Sequence, residues 1–146
     1  MSHIRHLEPS DFDKGYIQLL QQLTTTGDIT YQSFTTTLNS INNNPNHQIY
    51  VIPNHDNTQI LASGTIIFEP KFIHNCGSVG HIEDIVVSEE ARGLGLGQQI
   101  VKYLIEIAKS HPSCYKISLY CKPELTNFYE KSNLRTKDKQ MTLYLI

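Results

Sequence analysis

The chain has 146 residues, 12 of them Lys or Arg and 14 Asp or Glu, for a formal net charge of −2. That length predicts one domain over residues 1–146, large enough to bury an ordinary core. The slight negative balance argues against broad affinity for nucleic acid or anionic membranes, so any anion site has to be local.

Along the chain, IRHL (4–7) reads as a short strand, and Ser10 is placed to cap a helix that carries Asp13 three positions on. Phe12, Tyr16, Leu19, Leu20 and Leu23 fall on one helical face. LTTTGDIT is a polar loop, and a second helix is expected from Thr30, presenting Phe34, Leu38 and Ile41. INNNPN is a connector of turn-forming residues. HQIYVI and QILASGTIIFEP flank PNHDNT and predict a hairpin. HIEDIVV is the next strand, followed by a helix that runs from a glycine loop to about Ser110. KISLY, a short helix from about Pro123 to Lys131, and a terminal strand QMTLYLI complete an α/β pattern with a mixed sheet.

Several function classes are excluded or weakened by the remaining residues. MSHIRHLEPSD lacks the apolar stretch of a secretory signal, and no window approaches the roughly 20 apolar residues of a membrane span, so a cytoplasmic location is expected. Cys76, Cys114 and Cys121 lack metal-ligand spacing and are expected to be reduced and mostly buried. His3 and His6 are spaced to share a metal, but no further ligand cluster joins them and no metal is expected.

RGLGLGQQ places Gly93, Gly95 and Gly97 on alternate positions before the amphipathic helix. It lacks the Gly-Lys-Ser/Thr ending of a nucleotide-triphosphate loop and comes too late in the chain for a dinucleotide fold. A pyrophosphate held by backbone N–H groups at the helix N-terminus fits the pattern, and so does a plain turn that ends a strand.

A strand ending in Val-Val, a short acidic segment and R-G-x-G-x-G before a long helix together resemble the GNAT superfamily of acetyltransferases. KFIHNCGSVGHIEDIVVSEEARGLGLG, CYKISLYC, FYEK and the earlier LTTTGDIT are similar to one of its branches, the glucosamine 6-phosphate N-acetyltransferase family. The resemblance implies the GNAT acyl-CoA N-acyltransferase fold, with a central mixed, mostly antiparallel twisted sheet flanked by helices. It also implies a cytoplasmic homodimer that uses acetyl-CoA as co-substrate, acetylates the amine of D-glucosamine 6-phosphate and serves UDP-GlcNAc biosynthesis. By the same resemblance, Ile85, Val86, Val87, Arg92, Gly93, Leu94, Gly95, Leu96, Gly97, Gln98 and Tyr129 meet acetyl-CoA. Thr24, Lys71, His74, Glu83, Asp84 and Ile85 meet the amino sugar, with Cys114 and Tyr115 close to it across the dimer interface.

Acetyl transfer requires an unprotonated amine beside a thioester carbonyl, a donor for the developing oxyanion and an acid for the departing thiolate. Adjacent Glu83 and Asp84 in an apolar strand cannot both enter one core, because side chains alternate, so at least one has to meet a ligand, a partner charge or water. They are also consistent with two carboxylates at a sheet edge. The resemblance adds a strand irregularity that aims the N–H near Ile85 at the acetyl carbonyl, and it makes Tyr129 the general acid. A phenol of pKa about 10 stays protonated at neutral pH and can protonate a thiolate of pKa about 8.5. Two positions depart from the family pattern: Tyr120 stands where an acidic residue is usual, and Leu125 where an asparagine is usual, with Asn127 two positions later. These departures leave room for a GNAT enzyme acting on another small amine or a protein N-terminus, or for a CoA-binding module with little catalysis.

Overall fold

The computed structural model describes residues 3–146. Five strands, β1 (Arg5–His6), β2 (His47–Pro53), β3 (Ile60–Pro70), β4 (Ser78–Val87) and β5 (Cys114–Ser118), lie side by side in chain order. The first three pairings are antiparallel and β4–β5 is parallel. A parallel pair needs a crossover connection, here a long helix that leaves β4 and returns to β5. The helices are α1 (Tyr16–Gln21), α2 (Tyr31–Asn42), a one-turn α3 (Ile73–Cys76), α4 (Leu96–Ser110) and α5 (Thr126–Glu130). This is the mixed, mostly antiparallel sheet flanked by helices expected from the sequence, and the hairpin around PNHDNT forms as β2 and β3.

Period-two alternation sorts the strands onto two cores. Tyr50 and Ile52 of β2, Ala62, Ile66 and Phe68 of β3, and Ile82 of β4 face α4, which contributes Leu96, Ile100, Val101, Leu104 and Ala108. These α4 residues recur at three- to four-residue intervals, so the helix lays one continuous apolar stripe on the sheet. Ile100, Val101 and Leu104 are wholly buried, each such side chain stabilising the fold by roughly 1.5–3 kcal/mol. The opposite face packs Val51, Ile60 and Val86 against Tyr16, Ile17, Leu19, Phe34 and Leu38 of α1 and α2.

Four expectations need correction. The segment after β1 is a 3₁₀ turn over Pro9–Lys14 that ends at Gly15, whose φ of 78° breaks the chain direction before α1. Ser10 is not its cap. Asp11 accepts the Glu8 N–H at 2.8 Å and receives both guanidinium nitrogens of Arg5 at 2.8 Å, which draws it into the interior, wholly buried. α2, by contrast, begins at Thr30 as expected, and the Thr30 hydroxyl caps it by accepting the Ser33 N–H at 3.1 Å. The cysteines are not buried: Cys76 and Cys121 are exposed and Cys114 half-buried, because two sit in connections and the third on a sheet-edge strand. Finally, QMTLYLI forms no strand and pairs with none among the described residues. Met141, Leu143, Tyr144, Leu145 and Ile146 are at least four-fifths exposed, since a strand-forming sequence without a neighbouring edge has nothing to bond to.

Candidate active site

The carboxylate pair sits on a β-bulge. Ser63 pairs with Val86 and Thr65 with Glu83, so the single residue Gly64 opposes both Asp84 and Ile85. Asp84 absorbs the extra residue in a left-handed conformation, φ 51°. The bulge explains the apolar pattern of HIEDIVV. Ile82 and Ile85, three apart, both join the α4 core, which a regular strand of period two would not allow. Glu83 is left half-buried on the opposite face and Asp84 exposed. Burial, and then the neighbouring Asp84, push the Glu83 carboxyl above the usual range, with His81 opposing. No hydrogen bond or ion pair within the described residues engages either carboxylate.

Past the bulge the sheet opens. Pairing between β4 and β5 ends at His81 and Ser118, so Ile82 to Val87 has no strand partner on that edge. The chain then turns through Glu89–Ala91 into the glycine loop. Gly93 and Gly95 have φ of 86° and 78°, a left-handed region open to glycine without strain, and a Cβ at either would meet no neighbour within 4 Å. The first backbone bond of α4 runs from the Gln99 N–H to the Gly95 carbonyl, and the N–H groups of residues 93–98 find no acceptor among the described residues. Six unpaired donors at the positive end of a 15-residue helix are an arrangement suited to an anion. Gly97 has a different part. A Cβ there would come within 3.0 Å of the Phe128 ring, so its small size lets α5 pack against α4. The Gln98 side chain reinforces that contact, donating to the Phe128 carbonyl at 2.9 Å and accepting from the Ser132 hydroxyl at 3.2 Å. Its backbone N–H stays free for an anion, while its side chain is committed to the protein.

That contact brings Tyr129 beside the first turn of α4. The ring is buried in the α4 core and packs edge-to-face on Phe128 at 4.8 Å. Its hydroxyl bonds to nothing among the described residues, where no buried side-chain oxygen is an orphan, so the hydroxyl opens to solvent. Burial of the ring, with Cys121 nearby, raises its pKa above the ordinary phenol. Thr24 lines an open surface depression with Gln21 and the rest of the TTTGD loop. The neighbouring Gln22 side chain accepts the Glu89 N–H at 2.9 Å and ties this loop to the entrance of the glycine turn.

The remaining sequence-derived candidates gather near the other end of β4. Lys71 and His81 both contact Glu69, at 3.2 and 2.9 Å, and His81 first, then Lys71, hold that carboxyl below its ordinary range. His74 lies in the left-handed turn of α3, φ 51°, and stacks on Tyr115 at 4.1 Å. Cys114 and Tyr115 open β5, where Cys114 pairs with Ser78, five residues or about 17 Å along the strand from Glu83. The structure thus gathers Glu83, Asp84, Ile85, Val87, the glycine loop, Tyr129 and Thr24 at one end and leaves Lys71, His74, Cys114 and Tyr115 at the other. Val86 turns its side chain into the second core and offers only its backbone to that site. Tyr120 and Leu125 are exposed. Sequence reasoning passed over Gly64, although a glycine inside a strand is itself a signal of a bulge or close approach.

The sequence pattern of the Acetyltransferase (GNAT) family matches residues 12–133. The chain is 43% identical over 142 residues to the glucosamine 6-phosphate N-acetyltransferase of Arabidopsis thaliana, covering 97% of this chain and 95% of that protein. It is 41% identical to glucosamine 6-phosphate N-acetyltransferase 1 of Dictyostelium discoideum, covering 97% and 89%. The crystal structure of the Arabidopsis thaliana enzyme superposes with a TM-score of 0.96 at 41% identity, over 100% of this chain and 99% of that one.

Proposed function

Because the chain belongs to the acetyltransferase (GNAT) family, we propose that it transfers acetyl from acetyl-CoA to the amine of D-glucosamine 6-phosphate, yielding N-acetyl-D-glucosamine 6-phosphate and CoA. The observation that carries the reading is the row of six unpaired N–H groups beside the unpaired stretch of β4. Such a row suits the pyrophosphate of CoA, and the neighbouring strand edge suits an extended pantetheine arm that bonds where β5 has left off.

The residues then divide the chemistry among them. The sugar amine attacks the thioester carbon, a C–N bond forms, and the carbonyl oxygen takes up negative charge, which the Ile85 N–H at the bulge receives. Glu83 accepts the amine proton. Its raised pKa makes it a stronger base than an ordinary carboxylate, and it does the work that an acidic residue at position 120 would otherwise share. As the C–S bond breaks, Tyr129 delivers its proton to the sulfur. Thr24 holds the sugar phosphate from the same chain as the bulge.

Lys71, His74, Cys114 and Tyr115 lie too far along β4 to serve the bulge of their own chain. They fit a homodimer in which each chain completes its partner's sugar site. The exposed apolar segment ending at Ile146 supplies strand-forming surface for such an assembly.

The test is thiol release from acetyl-CoA with glucosamine 6-phosphate and with glucosamine. The phosphorylated sugar is expected to be turned over at least tenfold faster in kcat/KM. Equal values would overturn the substrate assignment.

A further inference from the structure

We infer that Gly64 is a positioning residue for acetyl transfer, setting the place of the Ile85 N–H through the Ile85 side chain. The inference rests on the reading of that N–H as the oxyanion donor. Gly64 is the lone β3 residue opposite the two-residue bulge, and its φ is unremarkable, so conformational freedom is not the reason for a glycine. Space is. A Cβ on Gly64 would lie 2.7 Å from Cδ1 of Ile85, 3.0 Å from Cδ1 of Leu104 and 3.1 Å from Cγ1 of Ile100. Ile85 therefore occupies the volume that a side chain at position 64 would take, and α4 encloses it there through two wholly buried residues.

The coupling follows from that packing. Ile85 is the residue the bulge re-aims onto the α4 face, and its neighbour Asp84 holds the strained left-handed φ. The bulge keeps its shape when Ile85 is seated over Gly64. An Ala at position 64 needs Ile85 to retreat by about 0.7 Å to reach ordinary contact. Leu104 and Ile100 are wholly buried and crowd the same added atom, so Ile85, half-buried, is the side chain that yields, and its retreat draws on its own backbone at the bulge. Misplacement on this scale costs about tenfold or more in the chemical step. Acetyl-CoA is held chiefly by the α4 N-terminus, on the other side of Val87, and its binding is spared.

The experiment compares wild type, Gly64→Ala, Ile85→Val and the double variant. Ile85→Val removes Cδ1, the atom nearest the new methyl. Gly64→Ala is expected to lower kcat about tenfold, leave KM for acetyl-CoA within about twofold, and shift the Ile85 backbone amide resonance in ¹⁵N correlation spectra. In the double variant, kcat and the amide position are expected to return to those of Ile85→Val alone. Unchanged kcat and unchanged amide position in Gly64→Ala would overturn the inference. A shifted amide with unchanged kcat would uphold the packing link and remove Ile85 as oxyanion donor. Should Gly64→Ala fail to fold, the double variant decides: activity equal to Ile85→Val supports the inference, and a fold or kcat no better than Gly64→Ala overturns it.

Discussion

Replacing Tyr129 by Phe removes one oxygen from a ring that otherwise stays in place. The buried ring keeps its edge-to-face contact with Phe128, and the hydroxyl has no hydrogen bond among the described residues to lose. Folding stability should therefore change by no more than about 0.5 kcal/mol, or about 1–2 °C in Tm for a chain of this size. The chemical cost is of another order. Losing a positioned proton donor costs about 10²–10⁴ in rate, and because a thiolate leaves readily the lower end applies, about 100-fold in kcat. That equals about 2.7 kcal/mol of barrier. KM for acetyl-CoA should hold, since the backbone N–H groups of residues 93–98 are untouched. Burial raises the Tyr129 pKa, so the proton-donating form persists beyond the ordinary phenol range, and the wild-type enzyme should show no loss of kcat from this group below about pH 10. Steady-state thiol release between pH 6 and 9, alongside thermal melts of both proteins, measures every part. A variant kcat within twofold of wild type would remove Tyr129 from the mechanism, and a large fall in Tm would show that the hydroxyl has a structural partner after all.

Two further outcomes concern the frame around the site. Burial opposes the Asp11 charge, but the Arg5 guanidinium, the Glu8 N–H and Lys14 outweigh it and hold the carboxyl below its ordinary range. Its contribution is thus present above about pH 4 and is lost as pH falls through the lowered value. Asp11→Ala, which leaves a partly buried Arg5 without its bidentate partner, should cost about 2–3 kcal/mol in urea denaturation at pH 7; a loss under 1 kcal/mol would refute that account. Deleting residues 140–146 should leave the sheet and both cores intact by circular dichroism while halving the mass in sedimentation equilibrium. An unchanged dimer would place the interface elsewhere.

Most elements could be read directly because each rests on local rules. Thr30 caps α2 through its own hydroxyl, the β2–β3 hairpin follows from alternation around PNHDNT, and the α4 stripe follows from helical period. The misreadings arose where a distant partner outweighs a local preference. Asp11 caps in place of Ser10 because Arg5, on a neighbouring strand, pulls its carboxylate inward. Gln98 keeps its backbone N–H in the glycine loop, while its side chain is bound to α5 by a contact that local spacing does not reveal. The I-E-D-I spacing did carry a trace of the bulge, since two isoleucines three apart share a strand face only if a residue is inserted between them.

What the sequence alone determined is the inventory of chemistry: a glycine loop before a helix, a carboxylate pair, a tyrosine able to carry a proton and a pattern that makes most local elements. These depend on residue type and short-range spacing, which the chain carries in itself. Only the tertiary structure decided which of them meet. The bulge opposite Gly64, the parting of β4 from β5 after His81, and the close approach of α5 to α4 at Gly97 arise from packing between segments far apart in the chain. They bring the bulge residues, the N–H donors and Tyr129 to one end of β4 and leave Lys71, His74, Cys114 and Tyr115 at the other.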